Sequence, residues 1–383
     1  MKKYTALLLT LLLMLGIAAC GTTPAVSGQP AAETPAAPSA AEPAKEVVRT
    51  ETTITAAELE GKVKLLGRAS FTDRGLACDW SASGFSFIVN CEGDISAEVD
   101  AGLNVLSRNI HFRLYIDGVE SERRFSFTKK GSYPIARGLE PGEHTISFVR
   151  DTAVHNYDMF FQSITMTCDA STLHAAPDAE LYIDFIGTSL TCGSGCLDVD
   201  STIKANNESA TRAFSFLTAQ ALGADWIFSS RGSMGVTQIV EEDGVQFNLR
   251  TLYDSAYGYR EPETKYQWTR HPDIEIMDVG PNDKVSPKEF MDATVEFVEH
   301  IREVHPDCAI VFVHGFGSSD KYYDYYPQIV ERLGGEANLV WECFTPVGAG
   351  ANDGIHPTVE QHKTDAEVIV KFLQDNVLDK IKK

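Results

Sequence analysis

Basic side chains are scarce in this 383-residue sequence: 33 Lys and Arg stand against 54 Asp and Glu. Excess acid repels phosphate backbones and anionic headgroups, which argues against nucleic acid or an acidic membrane surface as partner and favours a neutral substrate. No Cys pair stands at zinc-finger spacing from histidines, so neither a metal nor another cofactor is expected. His314-Gly315-Phe316-Gly317 mimics the oxyanion loop of α/β-hydrolases, but no Gly-x-Ser-x-Gly elbow follows it, which removes that reading. The apolar run from Ala6 to Ile17 is too short for a membrane span, and no internal repeat is evident.

What the N-terminus does contain is export chemistry. Lys2 and Lys3 precede the apolar run, and small residues end it. Ile17-Ala18-Ala19-Cys20 resembles a bacterial lipoprotein box, which implies that residues 1–20 are a signal peptide and that Cys20 carries the lipid. An ordinary secretory signal is the alternative, and either places the mature chain outside the cytoplasm. Without Lys2 and Lys3, 31 basic residues face 54 acidic ones, an excess of 23. Residues 21–50 are mostly Ala, Pro, Glu, Ser and Thr, too polar and too small to bury a core, and read as a disordered linker. Cys78, Cys91, Cys168, Cys192, Cys196, Cys308 and Cys343 remain, an odd number that leaves at least one unpaired within the chain. Cys192 and Cys196 are close enough in sequence to bridge, and Cys78 and Cys91 flank a possible hairpin.

The rest divides in two by period. Over 51–172, short alternating runs (Gly84 to Phe87, Ile95 to Val99, Ile110 to Ile116, Ile146 to Phe148) are separated by turn signals at Asp117-Gly118 and Glu140-Pro141-Gly142-Glu143. That pattern predicts an all-β antiparallel sandwich, jelly-roll-like in outline. Over 173–383 the rhythm becomes strand–helix, with strand runs at 181–186, 224–228, 273–279, 308–313 and 338–341. Ser286-Pro287-Lys288-Glu289 signals a helix start, Ala366 to Val377 repeats at helical spacing, and Thr358 with Gln361 can form a capping box. The fold class is therefore α/β, a three-layer α/β/α domain with a parallel sheet, behind the sandwich.

In such a sheet, ligands bind where strands end. Gly187-Thr188-Ser189-Leu190, Ser230-Arg231-Gly232-Ser233, Gly280-Pro281-Asn282-Asp283 and Asp353-Gly354-Ile355-His356-Pro357 all fall in loops leaving strands. Each alone is an ordinary turn. Together they offer a serine, a histidine to take its proton, a carboxylate to hold the imidazole, and amide donors for an oxyanion.

These four blocks resemble those of the SGNH (GDSL-like) hydrolases. Trp268-Thr269-Arg270-His271-Pro272-Asp273, with a sandwich in front, resembles more narrowly carbohydrate esterase family 2. The resemblance implies an esterase removing O-acetyl groups from a polysaccharide or oligosaccharide of the xylan or glucomannan type. Ser189 would be the nucleophile, His356 the base and Asp353 its orienter. The oxyanion hole would comprise the Ser189 and Gly232 N–H groups and the Asn282 amide. Trp268, Tyr259 and His314 are the implied substrate contacts. Thr188 stands where the family usually has Asp before the serine. Two other readings stay open: a lipase or thioesterase acting on longer acyl chains, and a non-catalytic glycan-binding lipoprotein.

Overall fold

The computed structural model describes residues 47–101, 109–153, 159–197, 199, 201, 204–242, 244–256, 263–315, 321–345 and 354–381. The expected signal peptide, Cys20 and most of the linker lie outside them, as do Asp353 and Tyr259.

The first part is a ten-stranded antiparallel sheet. In chain order it comprises β1 (Thr50–Thr55), a helical turn α1 (Ala56–Leu59), β2 (Lys64–Leu66), β3 (Ser70–Thr72), β4 (Gly75–Ala77), β5 (Gly84–Asp100), β6 (Ile110–Ile116), β7 (Val119–Glu120), β8 (Phe125–Phe127), β9 (Gly131–Arg150) and β10 (Phe160–Ala175). The first strand begins at Thr50, the last residue of the expected linker, and the last strand of this sheet ends at Ala175. Asp117 and Gly118 both take positive φ, 53° and 77°, and turn β6 into β7 as their sequence requires.

Two expected runs, 84–87 and 95–99, are one 17-residue strand. Glu140 to Glu143 is likewise a bulge inside β9, opposite Cys91 and Gly93, and not a turn. Straight, β5 would span roughly 56 Å at about 3.3 Å per residue. Phe85, Phe87, Ile95 and Val99 nevertheless share one core with Phe148 and Phe161, so the strand curves at its bulges.

The second part is a five-stranded sheet, parallel throughout, in the order β12-β11-β15-β16-β17. Its elements are β11 (Tyr182–Gly187), α2 (Phe214–Leu222), β12 (Asp225–Ser230), a hairpin of β13 (Val240–Glu242) and β14 (Val245–Phe247), α3 (Leu249–Tyr253), β15 (Ile274–Met277), α4 (Pro287–Val304), β16 (Ala309–His314), α5 (Tyr326–Arg332), β17 (Val340–Phe344), α6 (Val359–Asn376) and α7 (Leu378–Ile381). Both faces are covered, which is why these strands are apolar without alternation. Ile183, Phe185 and Ile276 pack with Phe214 of α2 and Ile369 of α6, while Ile186, Met277 and Phe312 pack with Phe297 of α4 and Ile329 of α5. Chain order reverses between β11 and β15, the position at whose carboxyl edge open parallel sheets bind their ligands.

Arg68 of the antiparallel part is buried against the parallel part. Its guanidinium donates to Ser229 Oγ (2.5 Å) and Ser255 O (2.9 Å) and lies over the rings of Trp80 and Tyr266. Asp184 and Glu275, register neighbours on β11 and β15, are buried beside it. Burial raises Asp184 to about 6 against the pull of Arg68, and burial with the Asp184 charge raises Glu275 further. Because these folded values exceed the unfolded ones, stability from this pair is present at low pH and declines as pH rises through about 6. Arg68 limits that decline. Arg68→Met is therefore expected to cost about 3 kcal/mol near neutral pH and clearly less at acid pH, measured by urea unfolding at both. An equal loss at both pH values would show that Arg68 does not answer these carboxyls.

Candidate active site

Buried strand β11 delivers the chain to the carboxyl edge, where Gly187, its last residue, leads into a tight turn. A Cβ on Gly187 would lie 2.1 Å from Thr191 Oγ1 and 3.0 Å from Asp278 O, so only glycine permits the turn. Backbone bonds close it: Cys192 N to Thr188 O at 3.2 Å, Gly193 N to Leu190 O at 3.1 Å and Ser194 N to Ser189 O at 2.9 Å. Thr188, fully buried, points its hydroxyl at Asp278 Oδ2 (3.4 Å), and Thr191 donates to the same oxygen at 3.0 Å. The residue that departs from the family pattern is thus tied into the neighbouring loop, and Ser189 remains half-buried at the turn.

Gly232, just beyond β12, faces Ser189. A Cβ placed there would lie 3.5 Å from Ser189 Cβ. Ser233 follows at φ 68°, a left-handed conformation of a kind found at functional turns. The loop is then fastened from the end of β15. Asn282 Nδ2 donates to Met234 O at 2.8 Å, which orients the amide and leaves the second N–H of that nitrogen for another acceptor. Asp283, fully buried, accepts from Val236 N (3.2 Å), Thr237 N (2.6 Å), Thr237 Oγ1 (2.6 Å) and Gln238 N (3.0 Å). Gly235 must lack a side chain, since its Cβ would sit 2.5 Å from both Asp283 oxygens. Ser189 and Gly232 are in this way neighbours, and Asn282 is fastened to the same loop beyond Gly232. The organising roles of Asp278 and Asp283 are not readable from the sequence, where Asn282-Asp283 looks like a turn pair.

His356 precedes Thr358, whose side chain accepts from Gln361 N (3.2 Å) and caps α6. The Gln361 amide donates to Asp365 Oδ1 at 2.9 Å. His362, one turn into α6, accepts from Phe214 N at 3.1 Å and is pushed down to about 3 by burial and then by nearby His356. Ser215 Oγ in turn donates to Thr191 O at 2.7 Å. The first turn of α2 therefore holds both the start of α6, behind His356, and the Ser189 turn.

Other expectations change. Trp268 lies at the opposite end of the sheet: Arg270 beside it bonds Asp225 at the start of β12 and the carbonyls of Ala179 and Glu180 before β11. Trp268 packs on Tyr266, His305 and Arg68. His314 ends β16 on the correct edge, but it is buried, stacked on Tyr326 at 4.4 Å, and pushed down to about 4 by burial. Tyr322 and Tyr326 are core residues, whereas Tyr323 and Phe344 remain open to solvent. All seven described cysteines are free thiols. Cys192 Sγ faces Ser230 Oγ, and Cys196 Sγ faces Ser209 O, so the adjacent pair does not bridge, and Cys78 and Cys91 do not bridge either.

Asp283→Ala would strand the Val236, Thr237 and Gln238 donors in a buried loop. The expected loss is about 3 kcal/mol or more of unfolding free energy by chemical denaturation, with Asp283→Asn intermediate. Equal stability of all three proteins would contradict the role given to Asp283.

Residues 65–177 match the family model described as Carbohydrate esterase 2 N-terminal. No curated protein matches the chain. Among solved structures, a family two carbohydrate esterase from Cellvibrio japonicus superposes with TM-score 0.75 at 20% identity, covering 88% of this chain and 100% of that one. An acetyl xylan esterase from Butyrivibrio proteoclasticus gives 0.70 at 18% identity, covering 85% and 98%. A family two carbohydrate esterase from Clostridium thermocellum, in complex with cellohexaose, gives 0.70 at 18% identity, covering 82% and 98%. The chain thus resembles family 2 carbohydrate esterases in its N-terminal sequence and shares their fold over nearly their whole length.

Proposed function

We propose that this protein is a serine esterase that removes O-acetyl groups from a carbohydrate. The observation that carries the reading is the approach of the Gly232 turn to Ser189, close enough that a Cβ at Gly232 would meet Ser189 Cβ at 3.5 Å, together with an Asn282 amide already oriented by Met234 O. A serine flanked by fixed amide donors at a parallel-sheet switch point is built for acyl transfer. Support for the substrate class comes from the relatives, one an acetyl xylan esterase and another complexed with cellohexaose.

In this mechanism Ser189 Oγ attacks the acetyl carbonyl carbon while His356 accepts its proton. The carbonyl oxygen, now an anion, takes hydrogen bonds from the Ser189 and Gly232 N–H groups and the Asn282 amide. As the tetrahedral centre collapses, the C–O bond to the sugar breaks and His356 returns the proton to the leaving hydroxyl. Water, activated by the same imidazole, then releases acetate and restores Ser189. Asp353 would hold the imidazole in the required tautomer. Nothing in these steps draws on a metal or cofactor.

The finer assignments are part of the same proposal. The curved strands of the first domain are read as jelly-roll-like. Cys20 is read as the lipid anchor that keeps the enzyme on the outer side of a bacterial membrane. A longer-acyl specificity is the second reading, favoured by Phe344 at 48% and Ile355 at 64% exposure near the site loops.

Hydrolysis of p-nitrophenyl acetate and p-nitrophenyl palmitate tests this directly. Wild type is expected to prefer acetate, Ser189→Ala and His356→Ala to lose about 10⁴-fold or more in kcat, and Asn282→Ala about 10²-fold or more. Full activity in Ser189→Ala would remove the nucleophile. A preference for palmitate would replace the acetyl reading, and glycan binding without turnover of any ester would replace catalysis.

A further inference from the structure

We propose that Asp151, in the antiparallel domain, is a positioning residue for Ser189 that acts through Ser209 and Gly193. This inference rests on the esterase reading for its kinetic consequence but not for its geometry. Asp151 follows β9 and is 0% exposed. Its Oδ1 accepts from Ser209 Oγ (2.6 Å), Thr211 Oγ1 (2.6 Å) and Thr211 N (3.0 Å), all in the parallel-sheet domain. Its Oδ2 accepts from Arg124 Nε (2.6 Å) and Arg113 Nε (3.2 Å), both from its own domain. The Asp151 carbonyl takes Ala210 N at 2.9 Å. One buried carboxylate therefore has each oxygen committed to a different domain, and burial alone would favour its neutral form if the two guanidiniums did not outweigh it.

The segment so held is the one against which the nucleophile turn closes. Ser209 N donates to Gly193 O at 3.0 Å, and Cys196 Sγ lies 3.7 Å from Ser209 O. Gly193 has φ 70°, and a Cβ there would approach Ser209 O to 2.2 Å, so the two backbones meet without an intervening side chain. Ser194, next in the chain, donates its N–H to Ser189 O at 2.9 Å. Asp151 thus reaches Ser189 through Ser209, Gly193 and Ser194, each in direct contact with the next. The antiparallel domain is in this way a component of the catalytic apparatus, since a displacement of about 1 Å at a reacting group can cost about 100-fold in rate.

The test removes the hydroxyls that Asp151 grips and leaves its pairing with the arginines intact, using Ser209→Ala/Thr211→Val in the full chain. With p-nitrophenyl acetate, kcat is expected to fall roughly 10- to 100-fold while KM stays within about twofold. Amide exchange of residues 192–194 is expected to quicken by about tenfold or more, with exchange in β15 and β16 unchanged. Thr211→Ser, which keeps the hydroxyl, should remain near wild type in both measurements. A folded double variant with wild-type kcat and wild-type exchange at 192–194 overturns the proposal. If the double variant does not fold, Thr211→Val alone carries the same comparison. Should the wild type prove to have no esterase activity, the functional reading fails and the exchange measurement still decides whether Asp151 governs the turn.

Discussion

The Asp278 carboxylate lies between β15 and the Ser189 turn, and the arrangement of the site follows from that contact. Two threonine hydroxyls, Thr188 and Thr191, converge on its Oδ2, and Gly187 must be bare for the chain to come so close. Because β11 and β15 are neighbours with chain order reversed between them, this junction is also the topological switch point of the parallel sheet. Ser189 is thus set by the register of two adjacent strands, which is a rigid reference. The same β15 loop carries Asn282 and Asp283, which hold the 232–238 loop and with it Gly232. One strand end therefore governs the placement of Ser189, Gly232 and Asn282 together.

A second layer of support comes from outside the α/β/α domain. Arg68 and Asp151, both from the antiparallel sheet, are buried in the parallel domain and contact it through polar groups that would be costly to leave unpaired. They approach at different places. Arg68 meets Ser229 near the carboxyl end of β12 and lies beside the Asp184 carboxyl of β11, while Asp151 meets the segment that backs the Ser189 turn. Apolar contacts such as Leu66, Ala82 and Tyr115 with the α2 side bury area without specifying register, whereas these charged contacts do specify it. The first domain is a structural participant in the site, whether or not it also touches a substrate.

Much of this was legible from residue pattern. The five parallel strands announce themselves as short apolar runs because both faces are covered, and the loops that leave them carry Ser189, Gly232, Asn282 and His356. The Asp117-Gly118 turn was legible because its two positive φ values suit those residues. What escaped was long-range. Whether 84–87 and 95–99 are one strand depends on bulges set by partners on β9 and β10, and Glu140 to Glu143 has a turn's composition inside a strand. Trp268 sits near the site blocks in sequence, yet it precedes β15 and so belongs to the amino edge. Asp151, Asp278 and Asp283 carry no local signature, since a carboxylate that organises a loop differs from a solvated one only in what folds against it. Cys192 and Cys196 are close in sequence, but the turn between them aims the thiols at different neighbours.

The central claim is that Ser189 is the reactive group of an acyl-transfer site. Its most direct test is covalent capture: full-length protein treated with a fluorophosphonate, digested and mapped by mass spectrometry. The account predicts a single adduct on the peptide bearing Ser189, lost in His356→Ala because no base then activates the hydroxyl. No adduct, or an adduct on a different residue, would contradict it.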